Sequence, residues 1–537
     1  RRGAGRVTMP RGRHFLLWGL CLVVVLLASV FGRPDIPIDE TRYVSVAWEM
    51  VSRGDWIVLH KNGEPYHHKP PLLFWLIGAG WSVLGVSDWW PRVVNALASL
   101  VCLGLTAAIA RRLWPGEKGV GERAGWLLLG GMFWLFFSTS VMFDILLCAC
   151  VLLALLAALR AWQGESRGTW GLFGVALGLG ILAKGPVVLL HVLPPLLLVK
   201  WWGGRESVER RWWIGIGLGT LLGAAIALTW AIPAAIQGGD EFRRAIFWGQ
   251  TAGRVTGNLA HKQPVWFYLP ILPVLLFPWL LWASGWRAVV EAVRDRTDLG
   301  VRFCLVWLFA AFLGFSAAGG KQAHYLLPLM PAFSLLPAFG WRRVAESGRR
   351  AVLPLVIALA ALGLIVLTAP LWVGKLWFAP YVGESWRIAG VLLIVLALIC
   401  FALARGEEAL SRIACASVAA TAILLLGVVR PLWPAFDMTP MGEQIKALER
   451  AGLPVAHATL YHDQYHFYGR LTVPLEVIAR REVAAWLEKN PQGKVVYYIA
   501  RRKSLEQLKP AFSQPYLDGW AVLVDAESVH RLPRFKR

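Results

Sequence analysis

The chain has 537 residues, 57% of them hydrophobic and only 16% charged. Apolar runs of about 18 to 25 residues recur along it, each long enough to cross a bilayer as a helix, which excludes a soluble core. The formal net charge of +22 comes from 55 Lys and Arg against 33 Asp and Glu. In a membrane protein such an excess belongs to loops held on the cytoplasmic side and to anionic lipid head groups, so it gives no ground for a nucleic-acid partner.

Thirteen spans are predicted, at 14–31, 90–110, 125–140, 141–161, 170–183, 186–202, 212–236, 265–286, 301–318, 324–341, 351–373, 386–404 and 411–430. The first lacks a small-residue cleavage site and runs straight into an acidic segment, so it reads as a retained helix and not as a signal peptide. The basic start, RRGAGRVTMPRGR, sets the cytoplasmic side. Alternation then puts Arg111-Arg112, Arg160 to Arg167, Lys200 to Arg211, Arg287 to Arg302, Arg342 to Arg350 and Arg405 to Arg412 on that same side. All seven cysteines, Cys21, Cys102, Cys148, Cys150, Cys304, Cys400 and Cys415, lie in or at the ends of apolar runs, a pattern with no disulfide framework or cysteine zinc motif.

The first long polar break, residues 35–71, carries Asp35, Asp39, Glu40, Arg42, His67, His68 and Lys69. The spacing of Tyr43, Val46, Ala47, Met50 and Val51 predicts a short amphipathic helix. Asp39 stands near its N-terminus, where the helix dipole favours a carboxylate. The apolar segment 72–88 is short for a span and reads as a helix at the outer interface. Asp144, at the outer start of the fourth span, and Lys184, in the AKGP turn, fall on the same face. So do the loop 237–264, with Asp240, Glu241, Arg243, Arg244, Arg254, His261 and Lys262, and the group Lys321, His324 and Tyr325. Each one alone reads as an interfacial or snorkelling side chain. Acids and bases from five segments meeting at one membrane face point to function.

GVALGLGILA at 174–183 follows no strand, so it suits a packed glycine-rich membrane helix better than a nucleotide-binding loop. Beyond Arg430 no spanning run remains. PVAHATLYH, VVYYIAR and WAVLVDA read as strands, MGEQIKALERAG and REVAAWLEKN as helices, giving a small α/β domain over 431–537 on the outer side. The predicted architecture is an all-α polytopic membrane domain, 1–430, with that small C-terminal domain.

An outer-facing site has no direct access to cytoplasmic nucleotide sugars, whereas a polyprenyl-phosphate sugar reaches it through the lipid. Transfer from such a donor needs a base for the acceptor hydroxyl and cations for the departing phosphate. Asp39, Asp144 and the adjoining Glu40 are the candidate acids. Arg42, Lys69, Lys184 and Lys321 are the candidate cations, with Tyr325 as a neutral donor.

The chain is similar to the lipid-linked-sugar glycosyltransferases of the GT-C fold, above all to the bacterial aminoarabinose lipid A transferases and more distantly to protein O-mannosyltransferases. The resemblance rests on Asp-Glu-x-Arg-Tyr at 39–43, GDW at 54–56, Lys-Pro at 69–70, the Asp144 segment, LAKGP at 182–186, HKQPVWFYLP at 261–270 and KQAHYLLPLMP at 321–331. It implies an inner-membrane enzyme with a periplasmic site, an undecaprenyl-phosphate sugar donor, and a lipid A, glycolipid or protein acceptor. It implies that Asp39 acts as base or orients the acceptor, that Asp144 is a second essential acid, and that Lys69 and Tyr325 hold the donor phosphate. Family members tend to carry Glu where this chain has His68, and that acid joins a histidine matching His261 at a metal. A His68–His261 pair still offers imidazoles to a zinc ion, short of a full ligand set; pinning of a loop is the alternative role. From the residues themselves, a transporter of a lipid-linked solute and an assembly protein recruiting partners through 431–537 stay open beside the enzyme.

Overall fold

A computed structural model describes residues 11–165, 168–204, 208–249, 262–344, 349–500 and 502–529. Among them, eight helical stretches are long and apolar enough to cross a membrane: Gly12–Gly32, Trp90–Leu113, Asp144–Trp162, Arg210–Gln237, Leu299–Ala317, Arg350–Trp372, Glu384–Leu403 and Ala409–Arg450. They divide by surroundings. The most apolar 18-residue stretch of Asp144–Trp162 is 72% buried and that of Trp90–Leu113 is 61% buried, against 33% for Arg210–Gln237, Arg350–Trp372 and Glu384–Leu403. Leucines such as Leu218, Leu221, Leu371 and Leu398 stand exposed on the outer helices. An apolar face of that extent is at home against lipid, not water.

The other predicted spans are built from shorter pieces. Residues 125–140 are split at Gly130-Gly131 into Val120–Leu129 and Met132–Phe137. Residues 265–286 form the turns Val265–Tyr268, Leu272–Leu275 and Trp279–Leu281 before the helix Ala283–Arg294 begins. Pro264, Pro270, Pro273 and Pro278 account for this, since each removes an amide donor and its ring clashes with the preceding turn. Thr169–Lys184 packs on Arg210–Gln237 through glycines. A Cβ on Gly174 would lie 2.8 Å from the Gly219 carbonyl oxygen, and one on Gly178 would lie 2.7 Å from the Ile226 side chain. Small residues at this spacing let two membrane helices approach closely.

The polar segment 35–71, the loop expected on the outer side, has its own architecture. Its helix Asp39–Arg53 ends at Gly54, whose φ of 72° takes the left-handed cap that glycine adopts without strain. Asp55 then accepts hydrogen bonds from the Ile57 and Val58 amides at 3.1 and 2.9 Å, so Gly54 and Asp55 of the GDW motif together form the exit from the helix. Strands β1 (His60–Lys61) and β2 (Glu64–Pro65) pair across Asn62-Gly63, a dipeptide suited to tight hairpins. The helix Leu72–Leu84 follows.

The C-terminal region carries β3 (Val455–Ala458), β4 (Glu476–Ile478), β5 (Lys494–Ile499), β6 (Phe512–Tyr516) and β7 (Gly519–Val524) in one sheet of order β4-β3-β5-β7-β6. β3 runs parallel to β4 and β5, while β7 runs antiparallel to β5 and β6. This region grips the outer loop. The Trp48 indole donates to the Leu471 carbonyl at 2.8 Å, the Phe467 amide donates to Ser45 Oγ at 3.1 Å, and Asn62 exchanges two hydrogen bonds with the Leu475 backbone. Phe467 also stacks on Trp81 with centroids 5.2 Å apart.

Candidate active site

Two buried ion pairs set the outer loop in place. Glu40, in the first turn of the loop helix, takes both Arg33 nitrogens, Nη1 on Oε2 at 2.5 Å and Nη2 on Oε1 at 3.1 Å. It also accepts from the Ile36 and Val141 amides at 2.8 and 2.7 Å. Asp35 accepts from Arg92 at 2.8 Å and from the Tyr468 hydroxyl at 2.6 Å. All four charged groups are buried. A carboxylate with every lone pair committed is part of a scaffold, so Glu40, expected among the catalytic acids, is taken up in holding the loop to Val141.

One residue away, Asp39 is different. About 100° around the helix from Glu40, its side chain is 40% exposed and pairs with Arg42, while the Tyr43 hydroxyl approaches Oδ1 at 3.4 Å. Burial pushes the Tyr43 phenol well above its ordinary range, keeping it a donor. The Tyr43 ring meets Phe143 edge-on at 4.9 Å, next to Asp144 in the chain. Lys69 Nζ lies over both rings, 5.3 Å from the Phe143 centroid and 5.8 Å from that of Tyr43. Aromatic faces attract an ammonium through the ring quadrupole.

Asp144 opens its helix fully buried, with Oδ1 on the Lys184 ammonium. Lys184 closes the helix Thr169–Lys184, where the dipole favours a cation. The second Asp144 oxygen accepts no hydrogen bond and stands 3.9 Å from His324 Nε2. Lys184 Nζ also sits 4.4 Å from the centre of the Tyr325 ring. Lys69 acts electrostatically on Asp144, and Asp39, Lys69 and Lys184 all act on His324. Asp39, Arg42, Lys69, Asp144, Lys184 and Tyr325, expected to meet from distant segments, are thus brought to one place.

A cavity of about 710 Å³ leads away from it. Lys69, Lys184 and Tyr325 line it beside a largely apolar wall that includes Leu147, Leu190, Leu228 and Phe315. Lys321 has another task. Its ammonium donates to the carbonyls of Gln263 at 2.8 Å and Ala318 at 2.5 Å, and the Gln263 amide donates to Gly319. It pins one loop to another, a role that a lone lysine in a polar motif does not announce.

Of the two histidines expected at a metal, His261 lies outside the described residues. His68 lines the cavity and stacks on His67 with centroids 4.6 Å apart. Burial holds His67 below its ordinary value. Zinc sites use three or four protein ligands, and His68 alone does not define one. Among the described residues, three potential ligands gather elsewhere, at Glu49, Asp463 and His466.

Several contributors were not singled out from the sequence. Arg33 and Arg92 are isolated cations at span ends, a signal in principle. His191, a lone imidazole inside an apolar run, is fully buried beside Phe315 with neither nitrogen hydrogen-bonded. Phe143 carries no signal beyond being next to Asp144.

Comparison with known proteins fits this geometry. A family model described as dolichyl-phosphate-mannose-protein mannosyltransferase matches residues 68–234. The undecaprenyl phosphate-α-4-amino-4-deoxy-L-arabinose arabinosyl transferase 1 of Sodalis glossinidius is 31% identical over 425 residues, 73% of this chain and 72% of that relative. The arabinosyl transferase of Pseudomonas aeruginosa is 30% identical over 378 residues, and the chain spans 66% of its length. In fold, the chain matches the crystal structure of ArnT from Cupriavidus metallidurans bound to undecaprenyl phosphate, with a TM-score of 0.76 at 21% identity, over 96% of this chain and 98% of that one. Fold and relatives define an integral-membrane glycosyltransferase of the GT-C type. More narrowly, the chain belongs to the family of undecaprenyl-phosphate aminoarabinose arabinosyl transferases.

Proposed function

We propose that the enzyme moves a sugar from a polyprenyl phosphate, undecaprenyl phosphate in the first instance, to lipid A or a related glycolipid at the periplasmic face of the inner membrane. One observation carries this reading: an apolar cavity whose polar end holds the Lys69 and Lys184 ammonium groups beside Asp144 and next to Asp39. Such a cavity suits a prenyl chain with its phosphate at the cationic end. The basic loops gathered on one side of the predicted spans support the periplasmic orientation. Residues 1–430 then form the catalytic membrane unit, with 32–71 as its catalytic loop, and 431–537 form a periplasmic α/β unit. The shorter apolar helices raise the number of crossings above eight, towards the thirteen expected.

In the proposed reaction the acceptor hydroxyl attacks the anomeric carbon from the face opposite the phosphate. The carbon–oxygen bond to phosphate breaks, and the polyprenyl phosphate leaves with the electron pair. Asp39, the accessible carboxylate, takes the hydroxyl proton, while its Arg42 and Tyr43 partners fix its orientation. Lys69, on its aromatic platform, and Lys184 stabilise the charge that grows on the departing phosphate. Asp144 holds Lys184 at that position, and its unpartnered oxygen faces His324.

Proteoliposomes supplied with undecaprenyl-phosphate-linked sugar, lipid A and a hydroxyl-bearing peptide test the reading, with products identified by mass spectrometry. Sugar on lipid A supports it. Sugar on the peptide alone moves the enzyme to the protein O-mannosyltransferase mode that the family match over 68–234 favours. Movement of the lipid-linked sugar across the bilayer with no product formed overturns it in favour of a transporter.

A further inference from the structure

We propose that Glu49, Asp463 and His466 form a divalent-cation site, zinc by its ligand chemistry, that fastens the catalytic-loop helix to the C-terminal region. The site is distinct from the transfer centre and does not depend on the donor or acceptor assigned above. Glu49 lies on the same helix as Asp39 but ten residues further on, about 15 Å along the axis at 1.5 Å per residue. Asp463 and His466 come from the segment between β3 and β4, more than 400 positions away in sequence.

The geometry is that of a ligand cluster. One ligand atom from each residue lies within 4.8 Å of the others, and all three residues are buried. Zinc bonded at about 2.1 Å sets tetrahedral ligands roughly 3.4 Å apart, so small side-chain rotations close the set. Two carboxylates and an imidazole, completed by a water, match the ligand types that zinc takes.

The second observation is electrostatic. Asp463 is fully buried, and neither of its oxygens accepts a hydrogen bond. Its polar neighbours are Glu49 and His466, whose Nδ1 lies 2.8 Å from Oδ1 and 2.8 Å from the Tyr461 hydroxyl. This contrasts with Asp35 and Glu40, whose oxygens are saturated by arginine and other donors. An unsatisfied buried carboxylate is expensive, and something must stand opposite it. Among the described residues no lysine or arginine pairs with Asp463, and Arg53 is taken up by Glu49 within the cluster. Arg53 lies 3.4 Å from Glu49, and Lys61 donates to the Tyr461 carbonyl at 3.5 Å. The Glu49 oxygens also accept from the Asn62 and Gly63 amides, at 2.5 and 3.0 Å. A metal here would therefore brace the Asn-Gly hairpin as well as the helix.

The test uses the full chain purified in detergent, stripped with a chelator and dialysed against zinc alone or cobalt alone. Zinc content per chain, the cobalt d–d absorption spectrum and the thermal unfolding midpoint are the readouts. The wild type is expected to retain zinc, to show a cobalt spectrum with carboxylate and imidazole ligation, and to unfold at a higher temperature with zinc than without. Asp463→Asn and His466→Gln should each hold one zinc fewer than the wild type and lose the zinc-dependent rise in midpoint. Equal zinc content in wild type and variants overturns the site, as does a wild-type midpoint that ignores zinc. If both variants fail to fold, Glu49→Gln and the cobalt spectrum of the wild type decide. A wild type without a cobalt spectrum leaves a proton shared between the two acids as the occupant and overturns the metal. Transfer activity is not a readout, so failure here leaves the glycosyl-transfer reading standing.

Discussion

The pairs Arg33–Glu40 and Arg92–Asp35 on one side, and Asp39–Arg42 and Asp144–Lys184 on the other, are built from the same residue types at the same face of the molecule. They differ in saturation. Each carboxylate of the first two meets donors on both oxygens and is buried. Asp39 is 40% exposed, and Asp144 leaves one oxygen without a donor. A saturated buried pair has nothing left to offer a substrate, while an unsaturated one has an open lone pair at a fixed position. Removing one partner of a buried pair strands the other charge in either case, so stability alone does not separate the two kinds. Turnover does.

The largest effect expected is on Asp39→Asn. Loss of a general base lowers rate by about 10²- to 10⁴-fold, and the unfolding midpoint should stay where it is because the side chain is partly exposed. Transfer measured in proteoliposomes alongside a melting curve checks both, and full activity would remove Asp39 from the mechanism. Next, Arg33→Ala should cost about 3–5 kcal/mol of stability by stranding Glu40. Transfer per folded molecule should persist, read as activity normalised to the monodisperse fraction. Selective loss of turnover with an unchanged midpoint would move Glu40 into the chemistry and break the comparison. Lys69→Ala should weaken donor phosphate binding by about tenfold or more, as expected for one charge-assisted hydrogen bond of roughly 1.5–3 kcal/mol; a donor titration measures it. Smallest, Ser45→Ala removes the acceptor for the Phe467 amide at 3.1 Å. About 0.5–1.5 kcal/mol of stability should go with it, seen as a slightly lower midpoint with transfer intact.

Much of the candidate site was legible from the chain alone. Asp39, Lys69, Asp144, Lys184 and Tyr325 stand out because polar groups at the ends of apolar helices are costly unless used. The glycine-rich run at 174–183 declared its close packing for a similar reason. Roles were harder to read. Asp39 and Glu40 are neighbours in sequence, yet a rotation of about 100° leaves one partly exposed beside Arg42 and sends the other into the Arg33 pocket. Lys184 and Lys321 look alike in their motifs. One meets Asp144, while the other meets the carbonyls of Gln263 and Ala318. The span predicted at 265–286 contains Pro270, Pro273 and Pro278, with Pro264 just before it, and their joint effect outweighs the hydropathy of the segment.

What the sequence by itself determined is the class of molecule: apolar length demands a bilayer, and the motifs from Asp39 to Pro331 mark its family. What only the tertiary structure decided is which charge answers which. Glu49 and Asp463 are separated by more than 400 residues, and Asp144 and Lys184 by 40. The physical reason is that a charge in a low-dielectric interior is defined by what stands within a few ångströms of it, and the fold, not the order of residues along the chain, sets those neighbours.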